Sequence, residues 1–110
     1  MNKQEQKKIV GKVWFITGAG RGIGSDVVRA ALEAGHSVVA TARDAAVITD
    51  EVGKHERLLP LALDVTKPTE VEDAVRAALD RFGRIDMLIN NAGRFFTGFF
   101  ETMSPEQVRT

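Results

Sequence analysis

The feature that most constrains this chain is an alternation. Short apolar runs take turns with longer segments whose apolar residues recur every three to four positions. The runs are Val13-Trp14-Phe15-Ile16, Ser37 to Thr41, Leu58 to Leu63 and Ile85 to Ile89. Runs of this kind suit strands buried on both faces, as in a parallel sheet. After the first run, a helical stripe carries Ile23, Val27, Ala30, Ala31 and Ala34, with Gly35 placed as a left-handed C-cap glycine. Residues 44–53 read as a short, weak helix. Pro68 opens a third helix in its favoured first position. Val71, Ala74, Val75, Ala78, Leu79 and Phe82 give that helix a 3.6-residue period, and Gly83 ends it. The order β-α-β-α-β-α-β calls for parallel strands joined by right-handed crossovers. The predicted fold is α/β, a doubly wound parallel sheet of spatial order 3-2-1-4. The first two helices are expected on one face and the third on the other.

Bulk properties narrow the function classes. At 110 residues the chain is one small domain, with a polar lead over residues 1–10. Its 44% hydrophobic and 27% charged residues are ordinary for a globular protein and exclude a disordered one. Lysine plus arginine and aspartate plus glutamate balance at 15 each, so no net field favours nucleic acid or anionic membrane. The absence of cysteine excludes disulfide and thiolate-metal scaffolds. His36 and His55 match no metal-ligand spacing and read as surface or turn residues. The lead MNKQEQKKIV is not a secretory signal, and no apolar run would span a bilayer, so a cytoplasmic location is expected.

Thr17-Gly18-Ala19-Gly20-Arg21-Gly22-Ile23-Gly24 leaves the first strand and enters the first helix. That is the setting of a phosphate-binding loop: glycines let the backbone approach an anion, and the helix N-terminus offers free N–H groups. Tight strand-to-helix turns also use glycine, so the context carries the reading. The spacing is Gly18-x-x-x-Gly22-x-Gly24; Ile23 and Ser25 stand where a G-x-G-x-x-G pattern would need its third glycine.

Thr-Gly-x-x-x-Gly-Ile-Gly after the first strand resembles the short-chain dehydrogenase/reductase family. Asn90-Asn91-Ala92-Gly93 after the fourth strand and Asp64-Val65 after the third are similar to two further hallmarks of that family. The resemblance covers essentially the whole chain and implies a Rossmann-type nucleotide-binding unit. It implies that the loop from Thr17 to Gly24 holds a pyrophosphate, that Asp64 meets the adenine amino group, and that Val65 lies beside the adenine. Asn91, Ala92 and Gly93 would line the cofactor near the nicotinamide ribose. On the residues alone, Asp64 also reads as a turn residue before a helix, and Asn91 as a strand-ending turn.

The adenosine ribose decides between the two nicotinamide cofactors. An NAD site usually ends its second strand on a carboxylate. Here that place is Ala42, and Arg43 follows, a planar fork suited to a 2′-phosphate. Arg21 is placed to approach the same phosphate. Both readings favour NADP over NAD, although Arg43 also fits a solvated surface arginine, and Asp44 could pair with it or cap the next helix.

The resemblance implies hydride transfer between NADP(H) and an alcohol or carbonyl, with a serine, a Tyr-x-x-x-Lys pair and an asparagine as catalytic set. The chain has no tyrosine, and its serines are Ser25, Ser37 and Ser104, all in or beside nucleotide-half elements. No catalytic residue is therefore assigned, and residues 1–110 alone are expected to be inactive. Ser104-Pro105-Glu106-Gln107 reads as a capped helix start, so the expectation is a unit cut after its fourth strand. The substrate would bind only a full-length form. A self-standing dinucleotide-binding or interaction module and one half of a split enzyme are the alternatives. Phe95, Phe96, Phe99 and Phe100 would pack under the following helix or, in a full-length form, border the substrate cleft; without the missing half they would form an exposed apolar patch, for another copy or a complementing C-terminal half to cover.

Overall fold

A computed structural model describes residues 11–91. Four strands, β1 (Val13–Ile16), β2 (Ser37–Ala42), β3 (Leu58–Ala62) and β4 (Met87–Ile89), alternate with helices α1 (Gly22–Glu33), α2 (Ala45–Val52) and α3 (Pro68–Phe82). All pairings are parallel and the spatial order is β3-β2-β1-β4, the order expected from the alternation. Among the described residues no helix is long and apolar enough to cross a membrane.

The pleat sends alternate residues of each strand to opposite faces, and each face has its own core. Val13 and Phe15 join Val39 and Leu63 beneath Val71, Ala74, Val75 and Ala78 of α3. Ile16 joins Val38 and Ala40 beneath Val28, Ala31 and Leu32 of α1 and Ile48 of α2. Phe15, Ile16, Val38, Val39 and Ile48 are fully buried. Each such side chain contributes roughly 1.5–3 kcal/mol relative to exposure. The α3 stripe is thus the expected one, with Leu79 and Phe82 partly buried at its end. Gly35 (φ 95°) and Gly83 (φ 83°) follow α1 and α3 in the left-handed region, as expected of terminating glycines.

The α1 stripe differs from the expected one. Ile23 is 73% exposed, Ala30 and Ala34 face solvent, and the buried face is Gly24, Val28, Ala31 and Leu32. A Cβ on Gly24 would lie 2.2 Å from the Gly18 carbonyl oxygen, so only a glycine fits that approach. Seating Gly24 inward fixes the phase of the helix, and positions four, seven and eight residues later turn inward with it.

Strand β4 is shorter than the run that predicts it. Ile85 is buried in the α3-side core, but the ladder begins at Met87. Ahead of it the Asp86 amide donates to the Val13 carbonyl, and the Val13 amide donates to Asp86 Oδ2 at 2.8 Å. Arg84 Nε donates to the same oxygen at 2.8 Å. A side chain therefore replaces a backbone acceptor where the strand would have begun. Burial pushes the Asp86 carboxyl up, but the Arg84 and Val13 hydrogen bonds and the charges of Arg84 and Lys12 outweigh it and hold it below the usual value.

Pro60 lies inside β3, where a central strand would not tolerate it. Arg57 accepts from Val38 and Leu63 donates to Ala42, so the odd-numbered residues of this segment face β2. The missing N–H of Pro60 consequently points away from the sheet, on its outer edge. The polar lead, Ala92, Gly93, the four phenylalanines and the helix start at Ser104 lie outside the described residues.

Candidate nucleotide-binding site

The site is built where β1 hands over to α1. Thr17 is fully buried, and its amide donates to the Ile89 carbonyl at 3.0 Å. Its hydroxyl donates to Asn90 Oδ1 at 3.1 Å and accepts from the Asn91 amide at 2.9 Å. Asn91 Nδ2 donates to the Gly18 carbonyl at 3.1 Å. Thr17 and Asn91 thus lash the glycine loop to the end of β4. On the other side the Ala19 amide donates to the Thr41 carbonyl at 2.9 Å, fastening the loop to β2.

The loop ends on an open helix N-terminus. Arg21 is the N-cap of α1 and makes no side-chain capping bond, and the first turn carries no acidic residue. Helix α2, by contrast, is capped by Asp44, which accepts from the Ala46 amide at 3.0 Å. Gly22 has φ 62° and nothing within 4 Å of where a Cβ would stand. Uncapped amides, a positive dipole end and a bare backbone suit an anion at this point.

Beside the loop runs a cleft of about 640 Å³, walled by Gly18, Gly20 and Arg21 of the loop, by Thr41 to Asp44 at the end of β2, by Val47 and Glu51 of α2, and by Leu63 and Val65 after β3. This volume lies in the range of small-ligand and cofactor sites. Arg21 and Arg43 are exposed, and neither forms an ion pair among the described residues. Ala42 presents no side-chain acceptor at the strand end, and Asp44 is the helix cap, which answers one of the two alternatives for it. Asp64 Oδ1 accepts from Thr66 Oγ1 at 2.6 Å and from the Thr66 amide at 3.0 Å. Those two bonds, with the charges of Arg43 and Lys67 and against partial desolvation, hold the Asp64 carboxyl below the usual aspartate value.

The model of the short chain dehydrogenase family matches residues 12–110. The chain belongs to the short-chain dehydrogenase family. It is 51% identical over 84 residues to an oxidoreductase of Botryotinia fuckeliana, covering 74% of this chain and 31% of that protein. A short-chain dehydrogenase from Streptomyces avermitilis superposes with a TM-score of 0.70 at 40% identity, over 76% of this chain and 31% of that one. The 3-ketoacyl-(acyl-carrier-protein) reductase of Brucella melitensis, solved with NADH, gives a TM-score of 0.64 at 40% identity, over 71% of this chain and 32% of that one. The chain therefore spans about a third of the length of the oxidoreductases it matches.

The expected family site residues fall into three groups. Gly18, Gly20, Arg21, Arg43 and Val65 line the cleft, and Gly22 stands open at the start of α1. Thr17, Ala19, Gly24 and Asn91 shape the loop by hydrogen bonding or close approach, with Thr17, Ala19 and Gly24 buried. Ile23 points to solvent and Asp64 holds Thr66; neither is part of the cleft wall. Ala92 and Gly93 lie outside the described residues. Sequence reasoning missed Val47 and Glu51, which stand four apart on α2 and so share one helical face. Their signal was weak because the helix has only eight residues.

Proposed function

We propose that this chain is the nucleotide-binding part of an NADP-dependent oxidoreductase that moves hydride between NADP(H) and an alcohol or carbonyl. The observation that carries the cofactor choice is the end of β2. Ala42 supplies no carboxylate for a ribose hydroxyl, and Arg43, without an ion-pair partner among the described residues, lines the cleft beside it. The Brucella reductase was solved with NADH, so the preference for NADP in this reading rests on this chain's own residues at the end of β2.

In this reading the uncapped amides of α1 take the pyrophosphate, Arg43 and Arg21 take the 2′-phosphate, and Leu63 and Val65 offer the adenine an apolar wall. Asp64, kept ionised by Thr66, is an acceptor suited to the adenine amino group. The bound nicotinamide would supply or accept the hydride. Proton transfer at the substrate oxygen needs a positioned acid or base. The tyrosine of the family set is not among residues 1–110, so these residues are expected to bind cofactor without turnover.

The test is calorimetric titration with NADPH and NADH. Arg43→Ala is expected to weaken NADPH binding by about 1–3 kcal/mol, the size of a charge-assisted hydrogen bond, with little effect on NADH. An equal loss for both cofactors would refute a 2′-phosphate role.

A further inference from the structure

The charges around the cleft do not balance in favour of a phosphate. Its wall carries Arg21 and Arg43, but also Asp44 and Glu51. Asp44 is engaged as the α2 cap. Glu51 is met from outside the cleft wall by Arg29 of α1. Arg29 Nη2 donates to Glu51 Oε2 at 3.2 Å and to the Glu51 carbonyl at 2.8 Å, while Nη1 donates to Asp26 Oδ1 at 2.9 Å. Without Arg29 the wall has two cations against two carboxylates, no net attraction for a dianion. Arg29, shared with Asp26, which is 75% exposed and does not line the cleft, offsets the repulsion that Glu51 would otherwise exert on a phosphate there.

We propose that Arg29 is a specificity-determining positioning residue: it holds and neutralises Glu51 so that the cleft admits a 2′-phosphorylated ribose. This inference rests on the NADP reading above and extends it to a residue that does not line the cleft. The Arg29 and Glu51 side chains are 40% and 46% exposed, and a pair that open adds little to folding. Its field on the neighbouring cleft is the larger effect. A volume of about 640 Å³ corresponds to a width of roughly 10 Å. Across that distance one uncompensated charge changes the affinity for a phosphate on the order of tenfold at low salt, and less as salt screens it.

The probes are 2′,5′-ADP and 5′-AMP, which need only the adenosine end of the site, titrated into the full 110-residue chain at low and moderate salt. The wild type is expected to prefer 2′,5′-ADP. Arg29→Met should weaken 2′,5′-ADP about tenfold and leave 5′-AMP within about twofold. Arg29→Met combined with Glu51→Gln should restore 2′,5′-ADP binding, although the bond from Arg29 to the Glu51 carbonyl stays lost. Glu51→Gln alone should tighten 2′,5′-ADP and steepen its salt dependence, which keeps a test in hand if Arg29→Met does not fold. Equal weakening of both probes by Arg29→Met, no rescue in the double variant, or an unchanged affinity in Glu51→Gln would each overturn the role of Arg29. If Arg43→Ala discriminates between the probes while the Arg29 and Glu51 variants do not, the NADP reading stands and this inference alone falls. If the wild type does not distinguish the two probes, both are rejected.

Discussion

Replacing Gly24 by alanine tests how the loop is held. The added Cβ would stand 2.2 Å from the Gly18 carbonyl oxygen, 3.0 Å from Ala19 Cα and 3.0 Å from Asn91 Nδ2. Two of these atoms are backbone and cannot swing aside as a side chain would. The loop must move away from α1, and the hydrogen bond from Asn91 Nδ2 to the Gly18 carbonyl stretches or breaks. Overpacking of this kind costs about 1–3 kcal/mol, and the lost hydrogen bond about 0.5–1.5 kcal/mol. Alanine returns up to about 1 kcal/mol through helix propensity. The net expectation is a loss of roughly 1–3 kcal/mol, and each kcal/mol lowers the melting midpoint by roughly 4–8 °C in a domain of this size. Gly22→Ala is the control. Its φ of 62° costs an alanine about 1–2 kcal/mol, but nothing lies within 4 Å of the new atom and the Asn91 bond is untouched. Urea unfolding followed by circular dichroism, at one protein concentration for all three proteins, gives the comparison. The reasoning fails if Gly24→Ala unfolds at the wild-type denaturant concentration, or if Asn91→Ala in the Gly24→Ala background costs as much as in the wild type.

Further expectations follow from the same contacts. Thr17→Val removes a hydroxyl that bridges Asn90 and Asn91 inside the fold and should lower the unfolding free energy by about 1–3 kcal/mol; a neutral result in urea would show that the latch is idle. Because the Asp86 carboxyl sits below its usual value in the folded chain, its stabilisation is fully present above the unfolded aspartate value of about 3.9 and fades as pH falls through the lower folded value. Asp86→Asn should therefore flatten the acid limb of stability below about pH 4, and an unaltered limb would remove Asp86 as its source. Strand β4 pairs only with β1 among the described residues, and Met87 on it is 41% exposed, so the 110-residue chain is expected to self-associate. A strictly monomeric species by light scattering, with a sharp cofactor-free melt, would contradict this.

The sequence made the sheet legible because strand order follows from alternation and crossover handedness, which need no side-chain detail. It made α3 legible because Val71, Ala74, Val75 and Ala78 recur at helical spacing while Glu70, Glu72, Asp73, Arg76, Asp80 and Arg81 occupy other positions around the helix. Helix α1 was harder. Ile23, Val27, Val28, Ala30, Ala31, Leu32 and Ala34 ring most of its circumference, so periodicity alone leaves the phase open by one residue. The phase is set by Gly24 against Gly18, a contact across a turn that no helical repeat records. The start of β4 was misplaced for a related reason: Ile85 is apolar and buried, but the Asp86 side chain takes the place of the ladder there.

The same distinction runs through the site. Residues that touch the cleft through loop position, such as Gly18, Gly20 and Arg43, were readable because a glycine loop and a strand end have fixed places in a βαβ unit. Residues whose effect on the cleft depends on a partner were not. Arg29 and Glu51 are 22 positions apart, on two helices packed side by side on the same face of the sheet. In sequence Arg29 is one more charge on the outer side of an amphipathic helix, and Glu51 one more acid near the end of a short one. Only their meeting gives them a joint effect, and Glu51 brings it to the cleft wall that also carries Arg43. Under the proposed role of Arg29, cofactor preference depends on the packing of α1 against α2 as well as on the strand-end motif. A preference changed at Arg43 alone should remain incomplete while the Arg29–Glu51 pair is intact.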